Sequence, residues 1–339
     1  MSSTYGENLK LSIFGQSHGT AIGMTLDGVP AGIPLSEEDF AEDLARRRSG
    51  APGTTPRREP DVPQIVSGVY DGYTTGAPLT IEFANTNTHS QDYSTVMRHY
   101  RPSHADLVAY HKFAGFNDPR GGGHFSGRVT APLVAADAIL LTVLRAAGVA
   151  VGTHILRCGE AWDRPFADAA ADIAALGEAA FPALDPAAGE AISREILAAR
   201  DAHDSVGGIT QTAVCGLPAG VGEPWFGSGF SAAGQRGSQF NDPLRMQAGR
   251  VVTATNHNGG VNGGISNGMP VVFQCAVKPT PSIAQPQQTV DFLRGEDTEL
   301  TIRGRHDPAI IRRICPVLDS VTALALCDLL AQRFGTAYF

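Results

Sequence analysis

Hydrophobic and polar residues alternate in several short segments of the chain, the pattern of strands with one buried face. Residues 11–14 and 21–26 show this pattern, and the polar turn 15–19 lies between them. We therefore predict two strands joined by this turn. Four further segments are also predicted to be strands, at 64–70, 79–84, 209–217 and 271–277.

Helical spacing of apolar residues dominates other parts of the chain. Ser36 and Asp39 form a capping-box pattern, which predicts a helix that runs to Arg48 and ends at Gly50. The segment 126–147 is predicted to be the first long buried helix. Further helices are predicted over about 104–113, 187–200 and 317–333, with another opening at Pro308. We predict loops at 51–63 and 166–186, a glycine-rich region of weak periodicity at 218–268, and one domain over 1–339.

The composition limits the class of protein. The 339 residues include 26 Lys and Arg against 34 Asp and Glu, a formal net charge of −8. This acidic balance argues against a protein that coats nucleic acid. Five cysteines are scattered without a Cys-x-x-Cys pair, and no segment has the pattern of a signal peptide or a membrane span. We therefore predict a soluble cytoplasmic protein whose cysteines are buried thiols.

Arginine supplies 23 of the 26 positive residues, and lysine occurs only at positions 10, 112 and 278. A GC-rich genome explains this bias, and so does a need for bidentate donors that bind carboxylate or phosphate. Both explanations stay open. The arginines whose neighbours favour an anion site are Arg48, Arg57, Arg101, Arg128 and Arg305. Those that we assign to the solvated surface are Arg46, Arg145, Arg200 and Arg333.

Three polar clusters follow or precede predicted elements, which indicates a site shared by loops. They are 15–19 with Ser17 and His18, 101–106 with His104, and 303–307 with Asp307. Adjacent side chains on a strand-like turn point apart, so Ser17 and His18 are unlike a hydrolase dyad. No spacing fits a metal site, and the glycine pairs in 259–264 do not follow a dinucleotide-binding or Walker pattern.

In their order along the chain, these clusters resemble the chorismate synthase family. The matching segments cover nearly the whole length, at 15–19, 27–32, 54–61, 87–93, 101–106, 121–128, 204–208, 259–268, 278–282 and 304–308. The resemblance implies an α/β (α+β) fold, a β-α-β sandwich with long helices between two antiparallel four-stranded sheets.

The resemblance also implies an activity. Members of the family are carbon–oxygen lyases of the shikimate pathway that make chorismate from 5-enolpyruvylshikimate 3-phosphate by 1,4-elimination of phosphate. The implied cofactor is reduced FMN, with a flavin reductase and NADP as candidate sources of the reduced flavin. The implied assembly is a homo-oligomer, either a tetramer or a dimer. The substrate carries a phosphate and two carboxylates, which would explain several of the arginines.

Carried over by position, the resemblance implies a role for each candidate residue. His18 would protonate the departing phosphate with Ser17 as its neighbour, and Asp307 would act with flavin N5 in removing the C6 proton. The implied substrate-binding residues are Arg48, Arg57, Arg101, Arg128 and Arg305. The residues implied at the flavin are His104, Ser126, Gly127, Lys278 and Ser282, with His104 and Ser126 also counted as catalytic. No metal is expected.

Some positions depart from the family pattern. Gln16 replaces the usual Glu, and Phe125, Gly127 and Val129 replace residues that are common in the family. A helix and a strand usually follow Gly-Glu-Pro, whereas here 222–226 is followed almost at once by 229–230. Two alternatives to an active synthase therefore stay open. One is a diverged lyase acting on a related anionic cyclohexene, and the other is a non-catalytic homologue that serves as a binding or assembly subunit.

Overall fold

Two antiparallel sheets enclose a layer of helices in the computed structural model, which describes residues 3–51, 53–55, 59–86, 98–222, 229–302, 306–335 and 338. The strands are β1 Thr4–Tyr5, β2 Lys10–Gly15, β3 Ala21–Asp27, β4 Gln64–Ser67, β5 Val69–Tyr70, β6 Tyr73–Thr74, β7 Leu79–Ala84, β8 Ala150–Cys158, β9 Ala161–Trp162, β10 Gly208–Cys215, β11 Leu244–Gln247, β12 Arg250–Thr253, β13 Val261–Asn262, β14 Ile265–Ser266, β15 Val271–Val277, β16 Gln287–Asp291 and β17 Glu296–Leu300. The α-helices are α1 Ala41–Arg47, α2 Asp106–Lys112, α3 Ala131–Ala135, α4 Asp137–Ala146, α5 Ala169–Glu178, α6 Pro186–Asp201, α7 Gly237–Phe240 and α8 Ile311–Phe334. The predicted β-α-β sandwich is confirmed.

The first sheet has the strand order β1-β2-β3-β7-β4. It has five strands rather than the four expected, because the two-residue strand β1 pairs with β2 at one edge. Buried and half-buried residues alternate along β7, as expected for a sheet that buries one face. The predicted strands at 21–26 and 79–84 are confirmed. The segment 64–70 is divided into β4 and β5 at Gly68, whose φ of +90° interrupts the extended backbone.

The second sheet has the order β15-β10-β8-β9, and its two central strands are buried along most of their length. Successive residues of β8 contact opposite layers: Gly152 lies against Ile173 of α5, whereas Thr153 bonds to Asp319 of α8. Because both faces are covered, β8 lacks the alternating pattern that would have predicted it. The prediction missed β8 for this reason.

The helix predictions need three corrections. The segment 126–147 begins as a 3-10 turn and forms α3 and α4, with a break at Ala136. Residues 169–178 form α5 rather than a loop, and Asp168 caps this helix by accepting from the backbone N–H of Ala171.

The third correction concerns α8, which is one helix of 24 residues with Pro316 inside it. It begins at Ile311 rather than at Pro308, because the Pro308 carbonyl accepts a hydrogen bond from the Val206 N–H outside the helix.

The hydrophobic core lies between the first sheet and α3, α4 and α8. Helix α8 is long and apolar enough to cross a membrane, but 61% of its most apolar 18-residue segment is buried inside the protein. Arg46, which we assigned to the surface, joins α1 to α8 instead. Its side chain forms ion pairs with Asp43 at 3.1 Å and with the buried Asp319 at 2.8 Å.

All five cysteines are free thiols. Cys158, Cys315 and Cys327 are buried as predicted, whereas Cys215 and Cys275 are only half-buried. Burial raises the pKa of Cys158 to about 11. Such a thiol is protonated and unreactive at neutral pH.

Candidate active site

A cavity of about 850 Å³ lies where loops from distant parts of the chain meet. Its walls come from the segments 47–61, 101–105, 121–128, 275–282 and 306–318. The predicted site residues that line it are Arg101, His104, Ser126, Gly127, Arg128, Lys278, Ser282 and Asp307. The fold therefore brings together residues that lie up to two hundred positions apart in the sequence.

The other predicted site residues lie elsewhere. Ser17 and His18 are buried behind Gly121, which itself lines the cavity. Arg48 lines a second, smaller cavity beside the first. Arg57 and Arg305 lie outside the described residues. The roles of all five stay predictions.

Three consecutive glycines separate the imidazole rings of His18 and His104. Gly121 has a φ of +61°, and a Cβ there would lie 2.5 Å from Cδ2 of His18. Gly122 has a φ of +86°, and a Cβ there would lie 3.0 Å from Cε1 of His104. Side chains at these positions would collide with the rings as well as strain the backbone. The glycines thus let one loop pass between the two histidines.

His104 is oriented by a carboxylate on the next helix. Its Nδ1 donates to Oδ1 of Asp106 at 2.6 Å, and Asp106 also binds Arg101 through Nη2 at 2.7 Å and Nε at 2.8 Å. Burial alone would raise the pKa of Asp106, but hydrogen bonds from Arg101 and His104 hold it well below its usual range. The resulting carboxylate fixes the proton on Nδ1, so Nε2 is the ring nitrogen left for a ligand.

The guanidinium of Arg101 is therefore largely engaged in hydrogen bonds within the protein. Its guanidinium forms a bidentate ion pair with Asp106, and Nη1 lies 3.5 Å from Oγ of Ser282. It joins the 101–106 cluster to the 278–282 loop, two predicted parts of the site. A bidentate pair of this kind orients the guanidinium for a second anion.

A second carboxylate is shared by two arginines. Asp61 accepts from Nη1 of Arg128 and, at 3.2 Å, from Nη1 of Arg47. Arg47 also donates to the backbone carbonyls of Gly127 at 2.9 Å and Arg128 at 3.1 Å. Its side chain is only 1% exposed. Arg47 thus holds the turn at 127–130 that carries Arg128 into the cavity.

Both oxygens of Asp307 are engaged. The backbone N–H of Thr55 donates to Oδ1 at 2.8 Å, and Nη1 of Arg313 donates to Oδ2 at 2.6 Å. Arg313 is itself anchored, since its Nε donates to the carbonyl of Arg47 at 2.8 Å. The carboxylate is thereby held in one orientation.

Two polar atoms in the cavity wall are left without a partner in the described part of the chain. They are Oγ1 of Thr280 and Nε2 of His306, and both are buried. Burial lowers the pKa of His306, so its ring is neutral at physiological pH. Buried polar atoms without hydrogen bonds are rare in proteins and indicate a missing ligand. Together with the ammonium group of Lys278 and the hydroxyl of Ser282, these atoms form a polar wall that fits a polar, anionic cofactor.

Sequence reasoning missed several residues of this cavity. Arg47 adjoins the chosen Arg48, and Asp106 and His306 lie inside quoted motifs, so each was visible but was not selected. The sequence signal for Arg313 is weaker. It consists of two basic residues, Arg312 and Arg313, in the first turn of α8, which has no acidic residue. Basic residues are unfavourable at a helix N-terminus unless an acid compensates them.

Comparisons with known proteins agree with this architecture. The chorismate synthase family model matches residues 9–226 and 225–331. Among curated proteins, the chain is 43% identical to a chorismate synthase of Chitinophaga pinensis over 99% of both chains. It is also 41% identical to one of Opitutus terrae, over 97% of this chain and 96% of that protein. A solved structure titled "Crystal Structure of Chorismate Synthase" superposes with a TM-score of 0.72 at 23% identity, covering 98% of this chain and 94% of the other.

The family match is divided at residues 225–226. This is the position after Gly-Glu-Pro at which the resemblance led us to expect a further helix and strand. On both sides of the break the match extends over the segments that build the cavity. The chain therefore belongs to the chorismate synthase family.

Proposed function

We propose that the chain converts 5-enolpyruvylshikimate 3-phosphate to chorismate with reduced FMN bound. The observation that carries this proposal is one cavity in which Arg101, His104, Arg128, Lys278 and Asp307 meet. Its volume of about 850 Å³ lies within the range of small-molecule sites, toward the upper end. It therefore has room for a cofactor and an anionic substrate together.

In the reaction, the C6–H bond and the C3–O bond to phosphate break, and a second ring double bond forms. The electron pair of the C–O bond leaves with the phosphate, so the overall reaction is redox-neutral. The protein must accept one proton, supply one to the leaving group and stabilise the negative charge that develops on it.

Asp307 is the proposed acceptor of the C6 proton. Its ion pair with Arg313 holds one carboxylate oxygen. The backbone N–H of Thr55 holds the other. A carboxylate held by two donors is well oriented, and orientation is what proton transfer at a fixed carbon requires.

His18 is the proposed proton donor to the phosphate. Its ring is only 7% exposed and lies against Gly121, whose missing side chain leaves it close to the cavity. Histidine can carry a proton near neutral pH and release it to a phosphate oxygen. The cations proposed to stabilise that phosphate and the carboxylates of the substrate are Arg101 and Arg128, which line the cavity.

Reduced FMN, when bound, supplies an electron-rich ring system beside the reacting carbons. The residues proposed to hold it are His104, Ser126, Gly127, Lys278 and Ser282, joined by Thr280 and His306. Nε2 of His306 and Oγ1 of Thr280 have no hydrogen bond in the described part of the chain, which supports a ligand at this wall. Pro279 and Pro281 flank Thr280 and limit the freedom of the loop that presents its hydroxyl.

We further propose that the protein is a cytoplasmic homo-oligomer, either a tetramer or a dimer. Its reduced flavin would come from a flavin reductase or from reduction by NADP in its reduced form. Free thiols support a reducing compartment. The β11–β12 hairpin leaves Leu244, Met246 and Val251 at least 61% exposed. Isolated two-stranded hairpins are marginal in water, which favours a partner surface over them.

The test is an anaerobic incubation of the purified chain with reduced FMN and 5-enolpyruvylshikimate 3-phosphate. We expect chorismate, followed by its absorbance, and inorganic phosphate in equal amounts. A folded protein that releases neither product would overturn the proposal.

The break in the family match at residues 225–226 favours one alternative, a diverged lyase acting on a related anionic cyclohexene. Flavin titration with 5-enolpyruvylshikimate 3-phosphate separates the possibilities. Tight flavin binding without turnover of this compound would favour the diverged lyase. The absence of flavin binding would favour a non-catalytic binding or assembly subunit.

A further inference from the structure

Asn85 follows directly after β7 and lies beside the loop 16–20, which joins β2 to β3. Strands β3 and β7 pair in antiparallel register as far as Ala21 and Ala84. The backbone N–H of Asn85 extends this ladder by donating to the carbonyl of Thr20 at 3.0 Å. The register of the first sheet therefore fixes Asn85 next to the loop. None of the roles proposed above uses this residue.

The side-chain amide of Asn85 holds both ends of a tight turn within that loop. The Gly19 N–H closes the turn by donating to the Gln16 carbonyl at 3.1 Å, and Ser17 and His18 are its two central residues. Nδ2 of Asn85 donates to the Gln16 carbonyl at 2.9 Å and to the Gly19 carbonyl at 3.0 Å. A primary amide has two N–H donors, so one side chain reaches both carbonyls. The backbone that carries the proposed proton donor is thus fixed at its first and last residues.

The oxygen of the same amide binds Arg128. Nε of Arg128 donates to Oδ1 of Asn85 at 3.2 Å, and the guanidinium also pairs with Asp61 through Nη1. Carbonyl groups only accept hydrogen bonds and a guanidinium only donates them, so these partners decide which end of the amide is Nδ2. One side chain thus connects the turn of His18 to a cation that lines the main cavity.

The turn is also held from the side of the glycine loop. The Ser17 N–H donates to the Gly123 carbonyl at 3.1 Å, which fixes the residue before His18. Asn85 fixes Gly19, the residue after it. The orientation of the His18 ring therefore depends on both contacts, one from each side of the turn.

We propose that Asn85 is a positioning residue that acts through both His18 and Arg128. It sets the proton donor and the phosphate-binding cation relative to each other, so that both meet one leaving group. This role rests on the proposed function, in which His18 protonates the phosphate and Arg128 stabilises it. Asparagine suits the position because aspartate has no donor for the two carbonyls and leucine has no acceptor for the guanidinium. A displacement of about 1 Å in such a group can cost about a hundredfold in rate.

The first experiment is a set of double-mutant cycles, measured by steady-state kinetics of the full chain with reduced FMN and 5-enolpyruvylshikimate 3-phosphate. The variants are Asn85→Ala, His18→Ala and Arg128→Lys, the last two also in combination with Asn85→Ala. The matched control is Asn267→Ala. Asn267 is likewise half-buried, donates through Nδ2 and accepts through Oδ1, but it does not line the main cavity.

We expect Asn85→Ala to lower kcat by about tenfold, the low side of general acid effects, and to raise KM by about threefold or more, the size of a lost hydrogen bond. When His18→Ala is already present, Asn85→Ala should lower kcat no further but should still raise KM. When Arg128→Lys is present, Asn85→Ala should no longer raise KM but should still lower kcat. Asn267→Ala should change neither constant. Losses that multiply in every background would mark a general structural role and overturn the proposal.

A second measurement needs no turnover. The Cε1–H resonance of the His18 ring, identified by its absence in His18→Ala, is followed by NMR of the chain labelled in histidine. We expect it to shift in Asn85→Ala and to stay in place in Asn267→Ala. If thermal melting shows that Asn85→Ala does not fold, Asn85→Asp replaces it, because aspartate keeps an acceptor for Arg128 and loses both donors. An unshifted resonance in a folded variant would overturn the proposal. A wild-type chain that releases no chorismate would overturn the proposed function instead, and the resonance then tests the coupling by itself.

Discussion

Asp307 and Arg313 form an ion pair of 2.6 Å at the wall of the main cavity, with Arg313 held in turn by the backbone carbonyl of Arg47. The proposed base is therefore positioned by a residue on α8, outside every motif that the sequence pointed to. The pair connects the chemistry of the cavity to the long helix in the core.

Replacing Arg313 tests this positioning role. In Arg313→Gln we expect kcat to fall by about tenfold or more with little change in KM, because the variant misorients a base that acts only in the reaction. Arg313→Lys keeps the charge and should recover part of the loss. Steady-state kinetics with 5-enolpyruvylshikimate 3-phosphate give both constants. A Gln variant whose kcat lies within twofold of the wild type would show that Asp307 needs no such partner.

The contact between Gly121 and His18 gives a second prediction. In Gly121→Ala the new Cβ would lie 2.5 Å from Cδ2 of His18, so the ring or the loop must move. We expect turnover to fall by about tenfold, the low end of general acid effects. The matched control is Gly263→Ala, since Gly263 has a φ of +57° and no atom within 4 Å of an added Cβ.

Both glycine variants should lose stability from the left-handed backbone, by roughly 1–2 kcal/mol. Only Gly121→Ala should lose turnover beyond what its loss of folded protein explains. Thermal melts and rates measured on the same samples separate the two effects. Equal rates in the two variants would argue against a catalytic role for the His18 ring.

The environment of Asp106 predicts a loss of stability in acid. Its pKa is lowered in the folded protein, so it stabilises the fold above its unfolded value of about 3.9, and this contribution disappears as the pH falls below that value. Asp106→Asn removes the buried partner of Arg101 and His104, and we expect a loss of about 3 kcal/mol at pH 7. The loss should shrink toward pH 3. Urea unfolding at both pH values measures it, with the exposed Asp297→Asn as control.

The environment of Asp137 predicts the opposite dependence of stability on pH. It is 1% exposed, its Oδ2 accepts from Oγ of Ser320 at 2.5 Å, and its Oδ1 has no partner in the described part of the chain. Burial and the nearby Asp43 raise its pKa well above the ordinary value. The folded protein therefore binds this proton more tightly than the unfolded chain, and its stability falls as the pH rises above about 3.9.

Asp137→Asn removes that penalty and keeps an acceptor for Ser320. We expect a gain of at least about 1 kcal/mol in unfolding free energy at pH 7, which vanishes near pH 3. Chemical denaturation at the two pH values is the measurement. A variant that is less stable than the wild type at pH 7 would show that the carboxylate is ionised and compensated in the fold.

The sequence by itself determined the features that depend on contiguous residues. Alternation predicted β3 and β7, because large apolar residues at every second position of each strand point into the core, as Ile22, Met24 and Leu26 do in β3. The motifs around His104, Lys278 and Asp307 identified the family resemblance and most of the cavity. Each motif is short, so a residue that lines the cavity brings its neighbours close to it.

Only the tertiary structure decided which neighbour within a motif faces the cavity. Successive helical residues point about 100° apart, so Arg47 enters the main cavity and Arg48 the second one, although the two are chemically identical. The pairing of Asp307 with Arg313, six residues later, depends on where α8 begins. Strand β8 escaped prediction because helices cover both of its faces. Contacts of this kind depend on packing between distant segments, which local periodicity does not encode.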